Sequence, residues 1–439
     1  MNPDSNTWNI FNRSINKYRA ILFAFVIIAL VLVGLLILNR PAKLVIESEN
    51  GADIFVTTTS GGEFQKIGTT KATFSTRKVP QDVFVMVTRE SKKTIIQTRL
   101  TERKTITRKV ELAPVLSINK ITDGSVSNMY VDKNNIQGVL PENSRLINFG
   151  TQSSVPIRSA FAVSPQVSKV FWYDSGNFVY KSYDGRIGRF VDSIDITSLG
   201  LASVLKNGNV PAPYGEEGEV GRYFIDIAKT DKKPLVLLSK DKLFTSGDMG
   251  DSVSILANLE QTGSDQRVFT DENFVYYFVG DETADYASEL DDKSIESGDT
   301  EHGNSKIYKY NYSGELKDTF VIESDNASSV VSVSNTTYVL SSDVLTVHKD
   351  GKSWQVTPFS PYIRGLVEYD NRVFILAGDG LWEVSVDGSE LRVLANFPTN
   401  TIGVVNSLMR VGDKVMFSTG PKPAQPKVQG SVYSVSINP

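Results

Sequence analysis

Over most of this chain apolar and polar residues alternate with a period of two, in short runs broken by Gly, Pro, Asn, Asp and Ser, and that pattern predicts strands. One stretch breaks it. From Ala20 to Leu38 nineteen consecutive residues are uncharged and largely aliphatic. As a helix rising about 1.5 Å per residue, such a run spans about 28 Å, against about 30 Å of bilayer hydrocarbon. A core helix would carry a polar stripe, and a secretory signal has a shorter apolar region ending at a small-residue cleavage site. Here the run ends in Asn39-Arg40-Pro41 without that site, which predicts a retained transmembrane helix over 20–38 behind a short tail, 1–19. Arg13, Lys17 and Arg19 precede the run, whereas Arg40 and Lys43 follow it. That excess predicts a cytoplasmic N-terminus and an extracytoplasmic 42–439, at a cell surface or in a periplasm.

From Lys43 to Leu112 the strand pattern is dense: KLVIES, ADIFVTT, VFVMVTR, TIIQTRL and KTITRKVEL, separated by turn residues and charges. Val83 to Val87 are apolar on both faces, as in a central strand. Glu49-Asn50-Gly51-Ala52, Ile54-Phe55-Val56, Gly68-Thr69-Thr70 and Val83–Val87 follow one another as turn, strand, turn element and strand. In that order they resemble the PEGA family of small β domains on microbial surface proteins, with both of the family's prolines missing. The resemblance implies a small sandwich-like domain over 42–113 that displays or anchors its neighbour, in some members by contacting glycans or other envelope components.

Beyond Leu112 a unit of strand, turn, strand and closing phenylalanine recurs: FVYKSYDGRIGRF (178–190), IYKYNYSGELKDTF (307–320), LTVHKDGKSWQVTPF (345–359) and LWEVSVDGSELRVLANF (381–397). Its turn glycines are Gly185, Gly314, Gly351 and Gly388, and the last two intervals are 37 residues each. Glycine accepts the positive φ of tight hairpins, and a repeat of this length suits one four-stranded propeller blade. Third strands are expected near residues 135, 180, 243, 309, 346, 383 and 434, giving a β-propeller over 114–439 with seven blades favoured over six or eight. Two insertions interrupt it, 196–220 and the acidic 281–304. The last segment, GSVYSVSINP, stops where an outermost strand is due, and PVLSINK (114–120) is placed to supply it and close the ring. The unit is similar to the broad propeller superfamily that includes WD-repeat, NHL and TolB-like domains, without the marker residues of any one of them. That likeness implies binding and nothing narrower.

Charge is divided unevenly along the chain: +3 over 1–41, +5 over 42–113 and −12 over 114–439. Arg77-Lys78, Lys92-Lys93, Arg103-Lys104 and Arg108-Lys109 give the small module a basic face, suited either to an anionic envelope polymer or simply to solvated strands. No aromatic stacking platform accompanies them, so nucleic acid is not expected as a partner. Cysteine is absent, which excludes disulfides, thiolate metal sites and cysteine nucleophiles. The two histidines, His302 and His348, are far apart in sequence; neither forms a metal cluster, and both are expected at the surface, His348 in an outer strand. No phosphate-cradling, dinucleotide, nucleophile-elbow or zinc motif occurs, so no cofactor, metal or catalytic residue is assigned. The nine acids of 281–304 lack calcium-loop spacing and read as a solvated loop.

The expectation is a non-enzymatic, membrane-anchored display protein whose propeller binds a protein or glycan and whose basic module acts as spacer or envelope contact. Two alternatives stay open. One is an anchored hydrolase or lyase acting on extracellular polysaccharide, which requires carboxylates converging in the propeller funnel. The other is a structural component of envelope assembly. Oligomeric state is not legible.

Overall fold

The computed structural model describes residues 22–23, 25–29 and, with gaps, 40–437; the longer stretches outside the described residues are 1–21, 30–39, 157–166, 197–223, 281–304, 397–404 and 421–429. Of the apolar run, only 22–23 and 25–29 are described. They are helical, and Leu22, Phe23, Phe25, Val26, Ile27 and Ile28 are all exposed. Among the described residues no helix is long and apolar enough to cross a membrane. Arg13, Lys17, Arg19, Ala20 and Leu38 lie outside them.

The rest is almost wholly β and divides into two compact units. In the N-terminal unit the strand order is Gln81–Arg89, Asp53–Thr57, Gln65–Thr69, Lys71–Thr76, Ala42–Glu47, Thr105–Lys109, with Lys92–Leu100, of which 92–97 group with the C-terminal unit, next to Gln81–Arg89. Gln81–Arg89 thus has a strand on each side, and Val83, Phe84, Val85 and Val87 are buried, as two-sided apolarity requires. Leu44, Ile46, Ile54 and Val56 bury one face of their strands. The strands Gln65–Thr69 and Lys71–Thr76 escape the sequence pattern because their alternation is carried by Thr, Lys and Ser rather than by large apolar residues. Several basic residues of this unit sit in exposed ion pairs, Lys71 with Glu47 at 2.6 Å and Lys104 with Glu102 at 2.8 Å.

The C-terminal unit is a β-propeller. Its described residues form seven antiparallel sets of four strands, taken in chain order over 127–156, 167–196, 226–258, 266–322, 329–356, 363–396 and 405–436. The seventh set has only three strands of its own. Its fourth is Ile118–Asp123, which pairs antiparallel with Ser431–Ser436, Asp123 opposite Ser431 and Ile118 opposite Val435. An early strand thus completes the last sheet, four residues further along than 114–120.

Within the sets the first strands lie innermost, and among the described residues they meet at every junction except that between the second and third sheets, which the Lys169–Asp226 ion pair bridges. Polar ties reinforce several of these junctions: Met129 N–H donates to Ser407 Oγ at 3.0 Å, and the Trp172 indole N–H to Asn128 O at 2.9 Å. Between the sheets run apolar layers, such as Tyr276, Phe278, Ile307, Ile322, Val330 and Val339 between the fourth and fifth. Because both faces of a blade pack on other blades, its middle strands are buried on both sides, as in Arg372–Ala377 and Thr336–Ser341.

The strand assignment in the first two sheets is corrected by one position. Residue 135 opens the second strand of its sheet, and Phe178–Ser182 with Ile187–Val191 are second and third strands rather than third and fourth. In the second sheet the slip arises because the fourth strand is only Ile194–Ile196, too short to register as a period. The other five third strands fall where expected.

Candidate functional site

Two seams between sheets bury charge. At the first, Asp226 sits on the innermost strand of the third sheet with 1% exposure, where an unpaired carboxylate would be costly. It is amply paired. Lys169 Nζ donates to both of its oxygens at 2.8 Å, Lys181 Nζ donates at 3.2 Å, and the Val268 N–H donates at 3.0 Å. Both lysines come from the second sheet and Val268 from the fourth, so one carboxylate joins three sheets. Desolvation by burial moves the Lys169 amine below its ordinary range, although Asp226 opposes that shift.

The second seam lies between the fourth and fifth sheets. Asp271, 4% exposed, follows the fourth sheet's first strand and caps its turn, accepting N–H bonds from Asn273 at 2.8 Å and Phe274 at 2.7 Å. Its other oxygen accepts the Ser332 N–H at 2.9 Å and the Tyr276 hydroxyl. Burial, together with the Asp271 charge, holds the Tyr276 hydroxyl well above its ordinary pKa. Tyr276 also bonds Ser332 Oγ at 2.6 Å, which lies 2.8 Å from Thr337 Oγ1. Lys309, on the fourth sheet's third strand and 7% exposed, donates to both hydroxyls at 2.9 and 3.3 Å, with its amine 3.9 Å from the centre of the Phe274 ring. Burial lowers its pKa, although the Asp271 and Asp318 charges oppose that shift. Among the described residues no carboxylate stands within ion-pair distance of it.

Lys309 also lines a groove of about 330 Å³ between the same two sheets. Thr337, His348, Phe320 and Ser353 line it as well, with the charged side chains of Asp318, Lys349, Asp350 and Lys352. His348 is the correction here. It lies on the third strand of its sheet, Val344–Lys349, rather than an outer one, and is only 9% exposed. The neighbouring sheet covers it: the Phe320 ring packs 4.5 Å from the imidazole centre at 30°. Burial pushes its pKa down to about 4, and its Nε2 has no hydrogen-bond partner. The Asp350-Gly351 turn beside it has φ of 50° and 70°, the two-residue hairpin that Asp-Gly favours.

At the inner strands one carboxyl stands apart. Burial, then the nearby Asp271 and Glu272 charges, push Glu368 up to about 7, while the Arg410 guanidinium opposes them. Arg410 donates to the Glu368 main-chain oxygen at 3.2 Å and lies over the Tyr369 ring.

Among the described residues no group of three or more His, Cys, Asp or Glu side chains is placed to hold a metal ion. His302 and the nine acids of 281–304 lie outside them. Sequence inspection missed Asp226, Asp271, Lys309 and Glu368. A signal existed for Lys309, since it shares the two-residue period of the buried Ile307.

No family model matches the chain, and no curated protein matches it. Solved structures to which it is similar include a streptogramin B lyase at 7% identity and TM-score 0.45, covering 73% of this chain and 98% of that one. The WD40 β-propeller domain of Doa1 matches at 11% identity and TM-score 0.43, with 73% and 96% covered. PorZ, a surface component of the type-IX secretion system of Porphyromonas gingivalis, matches at 10% identity and TM-score 0.41, with 88% and 68% covered. At this distance none of these likenesses carries a functional argument.

Proposed function

We propose that the chain is a membrane-anchored, extracytoplasmic binding protein: a helix over 20–38 holds it in the bilayer, a PEGA-like module over 42–113 acts as spacer or envelope contact, and a seven-bladed propeller binds a protein or glycan. The groove between the fourth and fifth sheets carries the binding reading. It combines a concave, polar-lined space of small-ligand size with a buried ammonium and an imidazole nitrogen whose bonding is incomplete. The anchor reading is supported by exposure of every large apolar side chain described within the run, a face that needs a nonaqueous partner. The full chain in detergent is expected to be retained on an array of envelope proteins and glycans; uniform absence of retention overturns the binding reading. Protease added to intact cells is expected to remove the propeller, and its survival overturns the orientation.

A second reading, as a hydrolase or lyase, is favoured by one observation. Burial and the Asp271 and Glu272 charges raise the Glu368 carboxyl to about 7, in the range a general acid needs. Its test is turnover of envelope polysaccharides, with loss in Glu368→Gln.

A further inference from the structure

We propose that the groove between the fourth and fifth sheets binds an acidic saccharide, with Lys309 and His348 receiving its oxyanion and Phe320 packing against the sugar ring. The inference rests on the reading of the propeller as a binding module and names its ligand class.

Charge points to an anion. Lys309 is buried, and its nearest polar partners are the neutral hydroxyls of Ser332 and Thr337. Asp271 and Asp318 favour its charge without pairing directly with it, and an oxyanion arriving in the groove supplies the direct charge-assisted contact. Around the groove Lys309, Lys349 and Lys352 outnumber Asp318 and Asp350, so the lining is net positive even with His348 neutral. His348 Nε2 is enclosed without a partner, and an incoming oxygen provides one.

The lining also bears on what carries that anion. Thr319, Asn335 and Ser353 offer hydroxyl and amide groups matched to a ring bearing several hydroxyls. Phe320, partly exposed and backed by His348, offers an aromatic face against which a sugar's C–H groups can pack. At about 330 Å³ the space stands at the small end of ligand cavities, which run from about 300 to 1,000 Å³, and suits one or two sugar units.

The test is calorimetric titration of the full chain in detergent with glucuronic acid, a hexose sulfate, a hexose phosphate, glucose and inorganic phosphate. At least one acidic sugar is expected to bind about tenfold more tightly than glucose, as a charge-assisted contact requires, and the first three probes distinguish carboxylate, sulfate and phosphate. Lys309→Met is expected to abolish that preference. His348→Phe, which retains a ring against Phe320, is expected to weaken binding several-fold. The pair Lys349→Ser and Lys352→Ser lies on a hairpin outside the core and is expected to weaken binding about threefold without altering the melt. Glucose binding as well as glucuronic acid overturns the anion assignment, and inorganic phosphate binding as well as the sugar phosphate overturns the saccharide assignment. Array retention that persists in all these variants, without saturable binding of any acidic sugar, removes this site but leaves the propeller's binding role standing. Absence of both in the unaltered chain overturns both.

Discussion

The seam joining the second and third sheets and the seam joining the fourth and fifth each bury an aspartate beside lysine, the lysine half-buried in the first and buried in the second, and they dispose of the charge differently. At the first, the acid lies at the centre: Asp226 is held by two ammonium groups and a main-chain N–H, and every bond is made within the protein. At the second, Asp271 spends its bonds on main-chain N–H groups and Tyr276, and the lysine rests on neutral hydroxyls at the edge of a groove. A charge cluster that is complete within the fold acts as a structural tie. One whose ammonium has carboxylates nearby but none bonded to it, beside a cavity, is suited to a ligand.

Removing the central acid has the largest expected effect. Asp226→Ala removes a buried acid and leaves two half-buried ammonium groups without their partner, and is expected to cost about 3 kcal/mol, read as a shift in urea midpoint. A loss smaller than that of Lys309→Met would show that the seam is not held by its charges.

Acid titration comes next. The folded-state pKa of His348 lies at about 4, below the usual imidazole value, so the folded chain binds fewer protons than the unfolded chain in between. Stability is therefore full above the unfolded value near 6.5 and falls as pH drops toward 4, by on the order of 2 kcal/mol. His348→Phe should flatten that limb of a melting-temperature profile.

Lys309→Met is expected to cost less than about 1.5 kcal/mol, because a side chain of similar length fills the space and Ser332 and Thr337 still bond each other. A large loss would mean that the amine is structural after all, and would move the second seam into the class of the first.

Glu368 gives the smallest effect, with the opposite sign to His348. Its raised pKa means the folded chain holds a proton more firmly, so stability falls as pH rises from the ordinary carboxylate range to about 7. Glu368→Gln should stabilise the chain above pH 7 by about 1 kcal/mol once solvent screening is allowed for.

Much of the fold was legible because blades repeat. Gly314 marks a turn from sequence alone, and the structure explains its necessity: its φ is 86°, and a Cβ there would stand 2.0 Å from Leu256 O. The early closing strand was legible from the missing fourth strand of the final repeat. The slip in the second sheet was not, since its three-residue fourth strand leaves too little periodicity to count. The candidate site was hardly legible. His348 stands two residues from a hairpin turn in a mixed polar run, and only the packing of Phe320 from the preceding sheet buries it.

Local sequence sets the strands, the turns between them, the repeat that makes a propeller and the uncharged apolar run over 20–38. Each of these is written in near neighbours, through alternation, glycine φ and unbroken hydropathy. Which charges neutralise each other was decided only by the tertiary structure. Lys169 and Asp226 lie 57 residues apart in the chain, Tyr276 and Ser332 56 apart. Their meeting depends on how one sheet packs on the next, and the same packing opens the groove over Lys309 and His348.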